Sequence, residues 1–317
     1  MIVTELYNGQ GLGNQLWCYA VTRSIALKRN FDFGIMGTHK FKGCEFLDLD
    51  FGLDIRGGHG PEGGPPVKLP NHITHYYKEK KTIHPQTRWG ISKKDDKLFG
   101  IKDNTKIDGV MQSIDYIKDN RTLLRAWIHP RADKNILTYN DENVCVIHIR
   151  GGDFHGSSAL LDKTYYDRAM NKMLNMNSSM KFYIVTDDVK YSHYLYPHLE
   201  IVGGSSNLFN KDKYNASHHS GGPVWMDWVI LNNCKNAIIS ASSFSWWPIW
   251  LNDNVNVIAP MYWAVYKQSD GYWSCGDSLI EGWLYLNRNG EFYDYVKCAA
   301  LKAEYEKQNA HFWAHEG

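Results

Sequence analysis

The sequence predicts an α/β protein that is built on parallel sheets and divided into two similar lobes. Short apolar runs alternate with segments of helical periodicity along the 317 residues, and this alternation favours parallel strands joined by crossover helices. A stretch rich in Gly, Pro and charge, residues 52–100, separates two such series. We therefore expect an N-terminal lobe at residues 1–140 and a C-terminal lobe, ending in a helix, at residues 141–317.

The N-terminal lobe begins with the strand-like run "MIVTELY", followed by a helical pattern over residues 14–28 and a second strand in "FDFGIMG". Residues 52–100 are interpreted as a long surface loop with a hairpin, because "RGGHGPEGGPP" is dense in residues that interrupt regular structure. "KIDGVMQSIDYIKDNRTLLRAWI" then predicts a strand that enters a helix.

The C-terminal lobe contains the clearest strand of the chain, in "DENVCVIHIRGGDF". After it we expect a helix in "DKTYYDRAMNKML", a strand in "MKFYIVTDD", a helix in "VWMDWVILNNC", a strand in "NAIIS", a turn and helix in "SSFSWWPIWLN", and a strand in "NVNVIAP".

The composition is that of an ordinary soluble protein, with 43% hydrophobic and 22% charged residues and a formal net charge of +1. This balance gives no general attraction to nucleic acid. The six cysteines form no CxxC pair, so we expect reduced, buried thiols rather than disulfides or a zinc site. Without a leader-like or long apolar segment, the expected location is the cytoplasm, free or peripheral to the membrane.

Four polar clusters follow predicted strands, at residues 11–15, 148–153, 186–188 and 242–245. The carboxyl ends of parallel strands meet at one edge of a sheet, where α/β proteins bind their ligands. The four clusters together therefore predict a ligand site.

The segment "HIRGGD", residues 148–153, has the chemistry of a diphosphate site. The planar, permanently charged guanidinium of Arg150 suits phosphate, and the amides of Gly151 and Gly152 would be accessible beside it. The alternative is a structural ion pair between Arg150 and Asp153 at a turn.

Two further clusters allow both a ligand and a structural interpretation. The hydroxyls of Ser243 and Ser245 at a helix start would bind an anion, or would simply cap the helix. In "TDD", residues 186–188, the carboxylates would bind a ribose or an acceptor, or cap a helix.

Asp227 lies in an apolar helix between Trp225 and Trp228, so its carboxylate needs a partner. The N1–H and N2–H groups of guanine would provide one, and a Lys or Arg side chain is the alternative.

Two possible metal motifs are set aside, and no metal site is expected. "DLD", residues 48–50, lies in an alternating run that a strand explains equally well. His218 and His219 lack carboxylate or Cys companions at ligand spacing.

The segments "GLGNQLWCYA", "DGVMQSIDY", "VIHIRGGD", "FYIVTDD" and "NCKNAIISASSFSWWPIWLN", in this order, resemble the inverting α-1,2-fucosyltransferases of glycosyltransferase family 11. The resemblance covers residues 9–252. It implies a GT-B-like architecture of two facing Rossmann-type lobes, with the acceptor on the N-terminal side and the donor on the C-terminal side. It also implies GDP-fucose as donor, a galactoside hydroxyl of a glycan as acceptor, and no metal or other cofactor.

The resemblance also assigns roles to individual residues. They are Asn14 and Arg150 on the diphosphate, with Gly11, Gly13 and Gln15 in the same N-terminal motif; His148 and Asp227 at guanine; Ser243, Phe244 and Ser245 at the phosphates and base; and Asp187 or Asp188 near the ribose or base.

Two positions depart from the family pattern. The family usually carries a second arginine where this chain has Gly151, which removes one positive charge and bears on the identity of the donor. Pro248 replaces a small residue after the Trp pair, and a proline is tolerated in the first turn of a helix.

The implied reaction is attack of the acceptor hydroxyl on the anomeric carbon from the face opposite GDP, through an oxocarbenium-like transition state. Arg150 and Asn14 would stabilise the leaving diphosphate. Asp153 is the first candidate for the base, followed by His155 and Asp162.

Three alternatives stay open. One is a related enzyme that uses another GDP- or UDP-sugar, and a second is a glycan-binding protein that has lost turnover. The third, a nucleotide-dependent dehydrogenase, is disfavoured because the opening glycines are spaced G-x-G-x-G and Asp32 lies near the start of the second strand rather than at its end.

Overall fold

The computed structural model describes most of the chain. The described residues are 1–55, 71–83, 90–92, 94–131, 133–134, 139–204, 223–263, 266–267 and 278–310. They fall into two compact units, which are considered separately: unit 1 lies mainly within Met1–Arg131, and unit 2 within Ala132–Ser274 and Leu279–Ala310.

Unit 1 is built on a four-stranded parallel sheet in the order β2-β1-β6-β3, with a separate antiparallel pair of β4 and β5. Its helices and strands are β1 (Ile2–Glu5), α1 (Leu12–Arg29), β2 (Phe33–Met36), β3 (His75–Lys78), β4 (Lys81–Ile83), β5 (Gly90–Ser92), β6 (Thr105–Asp108) and α2 (Arg121–Trp127).

The strand β1 lies in the middle of this sheet, and all four of its residues are buried. Helix α1 follows it and ends where Lys28 and Arg29 complement the helix dipole, with Asn30 in the left-handed conformation as its C-cap. Lys106 Nζ lies 2.7 Å from Glu5 Oε2, so the adjacent strands β1 and β6 share a buried ion pair. Each charge of this pair therefore compensates the other inside the sheet.

Unit 2 is built on a seven-stranded sheet in the order β13-β12-β11-β10-β7-β8-β9, in which only β12 and β13 pair antiparallel. Its helices and strands are β7 (Val144–Ile149), α3 (Lys163–Met176), β8 (Lys181–Thr186), α4 (Val189–Leu195), β9 (Glu200–Gly204), α5 (Val224–Asn233), β10 (Asn236–Ile238), α6 (Ser243–Leu251), β11 (Asn256–Pro260), β12 (Leu284–Leu286), β13 (Phe292–Tyr293) and α7 (Tyr295–Gln308).

The two faces of β7 have different surroundings because side chains alternate along a strand. Cys145, Ile147 and Ile149 pack in a core cluster with residues of α3 such as Tyr165. His148 points to the opposite face, which it shares with its cross-strand partner Val185. Strand β7 therefore contributes one side to the core and one to the site described below.

The strand order of unit 2 reverses between β7 and β10. The chain runs from β7 to β8 and β9 on one side, and from β10 to β11 and β12 on the other. The connections that leave β7 and β10 therefore diverge, and the resulting crevice at the carboxyl ends of the two strands is the usual ligand site of an open α/β sheet. We call this place the β7–β10 junction.

The predicted α/β class with parallel sheets is confirmed, and most predicted elements are found. Strand β3, which lies inside the stretch interpreted as a loop, was not predicted, and neither were β9, β12 and β13. The "DLD" segment is not a strand: Asp50 accepts a hydrogen bond from the Gly52 amide and lies 3.2 Å from Arg23.

The thiols partly match the expectation. Cys18, Cys145, Cys234 and Cys298 are free and buried, whereas Cys44 is free and exposed. Cys275, His218 and His219 lie outside the described residues. In the part of the chain that the structure describes, no helix is both long and apolar enough to cross a membrane.

Candidate active site

Arg150 stands immediately after β7, at the β7–β10 junction. Its Nη2 lies 2.6 Å from Asp153 Oδ1 and its Nη1 lies 2.6 Å from Asp187 Oδ2. The Asp187 side chain is only 6% exposed, whereas that of Asp153 is 68% exposed. The Arg150–Asp153 pair weighed as the structural alternative is therefore present, and its exposed carboxylate is the partner that a ligand could displace more easily.

Burial raises the pKa of the Asp187 carboxyl, and the neighbouring Arg150 charge opposes this shift. Asp187 also accepts a hydrogen bond from the Gly151 amide at 2.9 Å. Asp187 therefore fixes the start of the 150–155 turn in two ways, by accepting from the Gly151 amide and by pairing with the Arg150 side chain.

The amides of Gly151 and Gly152, predicted to be accessible to a diphosphate, donate to carboxylates in this structure. Gly151 donates to Asp187, and the Gly152 amide lies 3.3 Å from Asp188 Oδ2. A Cβ atom on residue 151 would lie 2.6 Å from the Asp188 Cβ. The second arginine of the family pattern therefore does not fit here unless Asp188 moves.

Asp188 organises the same turn from the other side. Its Oδ1 caps α4 by accepting from the Tyr191 amide, and its Oδ2 lies 2.8 Å from His155 Nε2. The His155 ring, 49% exposed, also packs edge-on against Tyr191. The helix-cap alternative for Asp188 is thus observed, and His155 is fixed by this contact.

The third candidate base, Asp162, has a structural contact. It caps α3 by accepting a hydrogen bond from the Tyr165 amide at 3.3 Å, and it lies 3.5 Å from Lys267. The Asp162 carboxylate therefore serves as the N-cap of α3.

His148 is held as a neutral imidazole. Burial, reinforced by the Arg150 charge, lowers the pKa of its side chain from 6.5 to about 3. Its Nδ1 lies 2.7 Å from the hydroxyl of Ser240, which follows β10. The His148–Ser240 contact therefore bridges the two strands at the junction.

The start of α6 lies at the same junction. Its N-cap is Ser242, whose hydroxyl accepts from the Phe244 amide. Ser245 is fully buried and its hydroxyl donates to the Ser242 carbonyl, while Ser243 and Phe244 are half-buried. Of the two hydroxyls predicted to bind an anion, that of Ser243 is therefore the more accessible.

Pro248 lies in the second turn of α6, not in the first as expected. It is the sixth residue of the helix, where a proline removes one intrahelical hydrogen bond. Its own carbonyl accepts a hydrogen bond from Asn232 of α5 at 2.9 Å, which ties the two helices together.

Asp227 of α5 is buried against the carboxyl end of β9. A Cβ atom on Gly203 would collide with Asp227 Oδ1, so glycine at this position lets the carboxylate approach the strand. Gly203 pairs with Val185, which in turn pairs with His148, so Asp227 and His148 lie on one face of the sheet with β8 between them. Phe244 lies beside this face, 6.0 Å from His148 and 6.1 Å from Trp228 between ring centroids.

The N-terminal motif lies in unit 1 at the start of α1. Gly11 is the exposed N-cap residue, and nothing lies within 4 Å of the position of a Cβ atom there. Asn14 Oδ1 accepts a hydrogen bond from Gln112 at 2.9 Å, and Gly13 is buried in the first turn.

Gln15 has a structural task that its sequence context does not reveal. It is fully buried; its Nε2 donates to the Lys40 carbonyl at 2.8 Å, and its Oε1 accepts from the Lys42 amide at 2.9 Å. Gln15 therefore fixes the chain after β2 through both ends of its amide.

Ser240 was not predicted as a site residue, because it is an ordinary hydroxyl at the end of "NAIIS". The only signal was its position after β10, opposite the end of β7. Within the described residues, no group of three His, Cys, Asp or Glu side chains is arranged to hold a metal ion.

The family model described as "Glycosyl transferase family 11" matches residues 89–287, which is more than half of the chain. This chain belongs to glycosyl transferase family 11. It is therefore a glycosyltransferase of the family that its motifs resemble, and the match includes every strand of unit 2 except β13.

Two relatives from Escherichia coli are similar to parts of this family member. The O-antigen biosynthesis glycosyltransferase WbnK is 28% identical over 132 residues, 38% of this chain and 39% of its own length. The chain thus matches less than half of that protein. An alpha-1,2-colitosyltransferase is 23% identical over 292 residues, 85% of this chain and 95% of its own length.

A comparison with solved structures finds fucosyltransferase NodZ from Bradyrhizobium, with 13% identity and a TM-score of 0.41. The match covers 81% of this chain and 94% of that one. Another is a mutant of Arabidopsis thaliana FUT1 in complex with GDP, with 11% identity, a TM-score of 0.45, and coverage of 81% of this chain and 69% of that one.

Proposed function

We propose that the protein transfers L-fucose from GDP-β-L-fucose to a hydroxyl of a glycan acceptor, the 2-hydroxyl of a galactoside, with inversion at the anomeric carbon. The observation that carries this proposal is the set of groups at the β7–β10 junction: a guanidinium, a neutral imidazole and a helix N-terminus. These groups suit a nucleoside diphosphate, and membership of family 11 supplies the reaction class.

Arg150 is proposed to bind the diphosphate and to stabilise the charge that grows on it as the bond to fucose breaks. Asp187 orients the guanidinium from the buried side, while exposed Asp153 holds the position that a phosphate oxygen would take. Exchange of one anionic partner for another keeps the arginine paired throughout. Because the arginine is preorganised, little reorganisation opposes charge development.

The guanine ring of the donor is proposed to bind on the sheet face shared by His148, Asp227 and Phe244. Neutral His148 can both donate and accept hydrogen bonds, the Asp227 carboxylate suits the guanine N1–H and N2–H edge, and Phe244 offers a ring face. Ser243 and the first amides of α6 are proposed to bind phosphate, because the dipole and free N–H groups of a helix N-terminus favour an anion. Buried Ser245 supports this helix start through its bond to Ser242.

In unit 1, the start of α1 with Gly11, Gly13 and Asn14 keeps the phosphate-binding role that the family resemblance implies, as a proposal. The space around Gly11 permits close approach of a ligand to the backbone. Gln15 acts indirectly, because it fixes the chain after β2.

In the proposed reaction, the acceptor oxygen bonds to the anomeric carbon, the carbon–oxygen bond to GDP breaks, and its electron pair leaves on the diphosphate. The acceptor proton passes to a base. Asp153, once displaced from Arg150, and His155, oriented by Asp188, are the two candidates that the contacts favour. We assign no metal to this step, because Arg150 supplies the positive charge.

The function is tested by incubating the protein with GDP-fucose and lactose, followed by linkage analysis of the product. An α-1,2-fucosylated product is expected. Absence of product with intact GDP binding would favour the alternative of a glycan-binding protein.

A second donor belongs in the same assay, because the relative that matches over 95% of its own length is named a colitosyltransferase. Gly151 also removes the charge of the second family arginine. A panel of GDP- and UDP-sugars, including activated colitose, should show fucose as the preferred donor; faster turnover of another sugar would correct the donor but keep the reaction class.

A further inference from the structure

We propose that Tyr7, Tyr76 and Asp108 of unit 1, which we call the tyrosine–aspartate cluster, form the subsite that binds the acceptor sugar. The inference rests on the proposed function, and it assigns the acceptor to residues that the donor site does not use.

The cluster is held together by one carboxylate. Asp108 Oδ1 accepts a hydrogen bond from the Tyr7 hydroxyl at 3.3 Å, and Asp108 Oδ2 accepts one from the Tyr76 hydroxyl. Asp108 ends β6, Tyr76 belongs to β3, and Tyr7 follows β1. Three neighbouring strands of the sheet therefore contribute one side chain each.

Asp108 and Tyr7 lie at the carboxyl ends of β6 and β1, where an open α/β sheet binds ligands, and Tyr76 reaches Asp108 from the second residue of β3. The strands β1 and β6 are adjacent, and the chain leaves β1 toward β2, on the side away from β6. That connection therefore does not pass over the carboxyl end of β6. The Tyr7–Asp108 hydrogen bond spans this β1–β6 junction.

The segment after Asp108 is fixed in an unusual conformation. Gly109 has φ 139° and the buried Met111 has φ 49°, values that non-glycine residues rarely adopt. The Val110 amide donates to Glu79 Oε2 at 2.9 Å, and the Cys18 thiol donates to the Gly109 carbonyl. Rarely populated backbone conformations that are held by several contacts are typical of functional sites. Here the contacts of Val110 and Gly109 fix the chain that follows Asp108.

The chemistry of the cluster suits a neutral, hydroxyl-rich ligand. A carboxylate accepts hydrogen bonds from sugar hydroxyls but repels a phosphate, and the nearby charges of Glu5 and Lys106 compensate each other. The Tyr76 side chain is 57% exposed and offers a ring face to the C–H groups of a sugar. Its hydrogen bond to Asp108 raises the pKa of Tyr76 to about 12, so the hydroxyl remains a donor at neutral pH.

The proposal predicts that a sugar hydroxyl takes the place of a tyrosine hydroxyl on Asp108. Asp108→Asn should raise the acceptor KM about ten-fold or more, because a charge-assisted hydrogen bond is lost. Tyr76→Ala should raise it less, through the lost ring face. GDP affinity and the slow hydrolysis of GDP-fucose without acceptor should stay within about two-fold of wild type.

The experiment measures acceptor KM, kcat, GDP affinity and melting temperature for Asp108→Asn and Tyr76→Ala. Asp96→Asn serves as control, because Asp96 is an exposed carboxylate of the same unit, paired with Lys94. An unchanged acceptor KM in both variants would overturn the proposal. Loss of GDP binding by Asp108→Asn in a protein that still melts like wild type would overturn it as well.

Saturation-transfer NMR separates this proposal from the proposed function. Lactose and other neutral disaccharides should give a signal with wild type and with the Asp96→Asn control, and a weaker one with Asp108→Asn, even if no donor is turned over. Equal signals with and without Asp108, or none with wild type, would contradict the acceptor subsite whatever the donor is.

Discussion

The two units place different chemistry at the carboxyl edges of their parallel sheets. The β7–β10 junction of unit 2 carries the guanidinium of Arg150, the neutral imidazole of His148 and the start of α6. The β1–β6 junction of unit 1 carries the carboxylate of Asp108 between two tyrosine hydroxyls. The β7–β10 junction thus suits a charged leaving group, and the tyrosine–aspartate cluster suits a neutral sugar.

Under the two proposals, one architecture supports two binding tasks. In both units the topology brings strand ends together, and the residues that follow those ends decide the ligand. Charge is the clearest difference: a diphosphate would be repelled by Asp108, whereas a neutral glycan gains little from Arg150. Predictions that change these groups should therefore separate donor effects from acceptor effects.

The largest effect is expected for Arg150→Lys. A lysine keeps the charge but loses the planar fork that contacts Asp187 and the proposed phosphate, so kcat should fall about 10²–10³-fold. Steady-state kinetics with GDP-fucose would measure this, with the surface substitution Arg29→Lys as control. Near-wild-type kcat for Arg150→Lys would remove the arginine from the mechanism.

His148 should make stability depend on pH. The pKa of His148 is about 3 in the folded protein, against an ordinary value of 6.5 that applies to the unfolded chain. At a pH between these two values, the unfolded chain therefore binds more protons than the folded protein. The free energy of unfolding should therefore rise with pH across this window, by about 1.4 kcal/mol per pH unit for this one group.

The His148→Asn variant keeps a polar group near Ser240 but cannot titrate. Urea unfolding of both proteins at several pH values between about 4 and 7 should give a shallower pH dependence for the variant. Parallel curves would show that the folded and unfolded proteins bind the His148 proton equally, which would contradict the lowered pKa of His148.

A smaller effect is expected at Gly151, where a Cβ atom would meet Asp188. Gly151→Ala should lower the free energy of unfolding by about 1–3 kcal/mol through local overpacking. Gly100→Ala is the matched control, because nothing lies within 4 Å of a Cβ atom there. If both variants melt alike, steric contact does not explain the glycine at 151.

Much of this arrangement could be predicted from the sequence, because strand ends and polar clusters coincide along the chain. "HIRGGD" and "SASSFSWW" each follow a predicted strand, and the structure brings both to the β7–β10 junction. The features that could not be predicted depend on contacts between residues far apart in the sequence. The Gln15 side chain hydrogen-bonds to the backbone of residues 40 and 42, and the Asp188 side chain lies against Gly151.

The missed strand β3 has a physical explanation of the same kind. Its sequence, "HYYK", lacks an apolar alternation because most of its side chains are exposed, and its pairing with β6 alone defines it as a strand. Tyr76 and Asp108 meet only through this pairing, so the tyrosine–aspartate cluster has no signature in the sequence.

The most direct test of the central claim is hydrogen–deuterium exchange of the protein with and without GDP. We predict protection of the segments around residues 148–153 and 240–245, which form the β7–β10 junction. GDP binding that leaves these two segments unprotected would contradict the assignment of the nucleotide to unit 2.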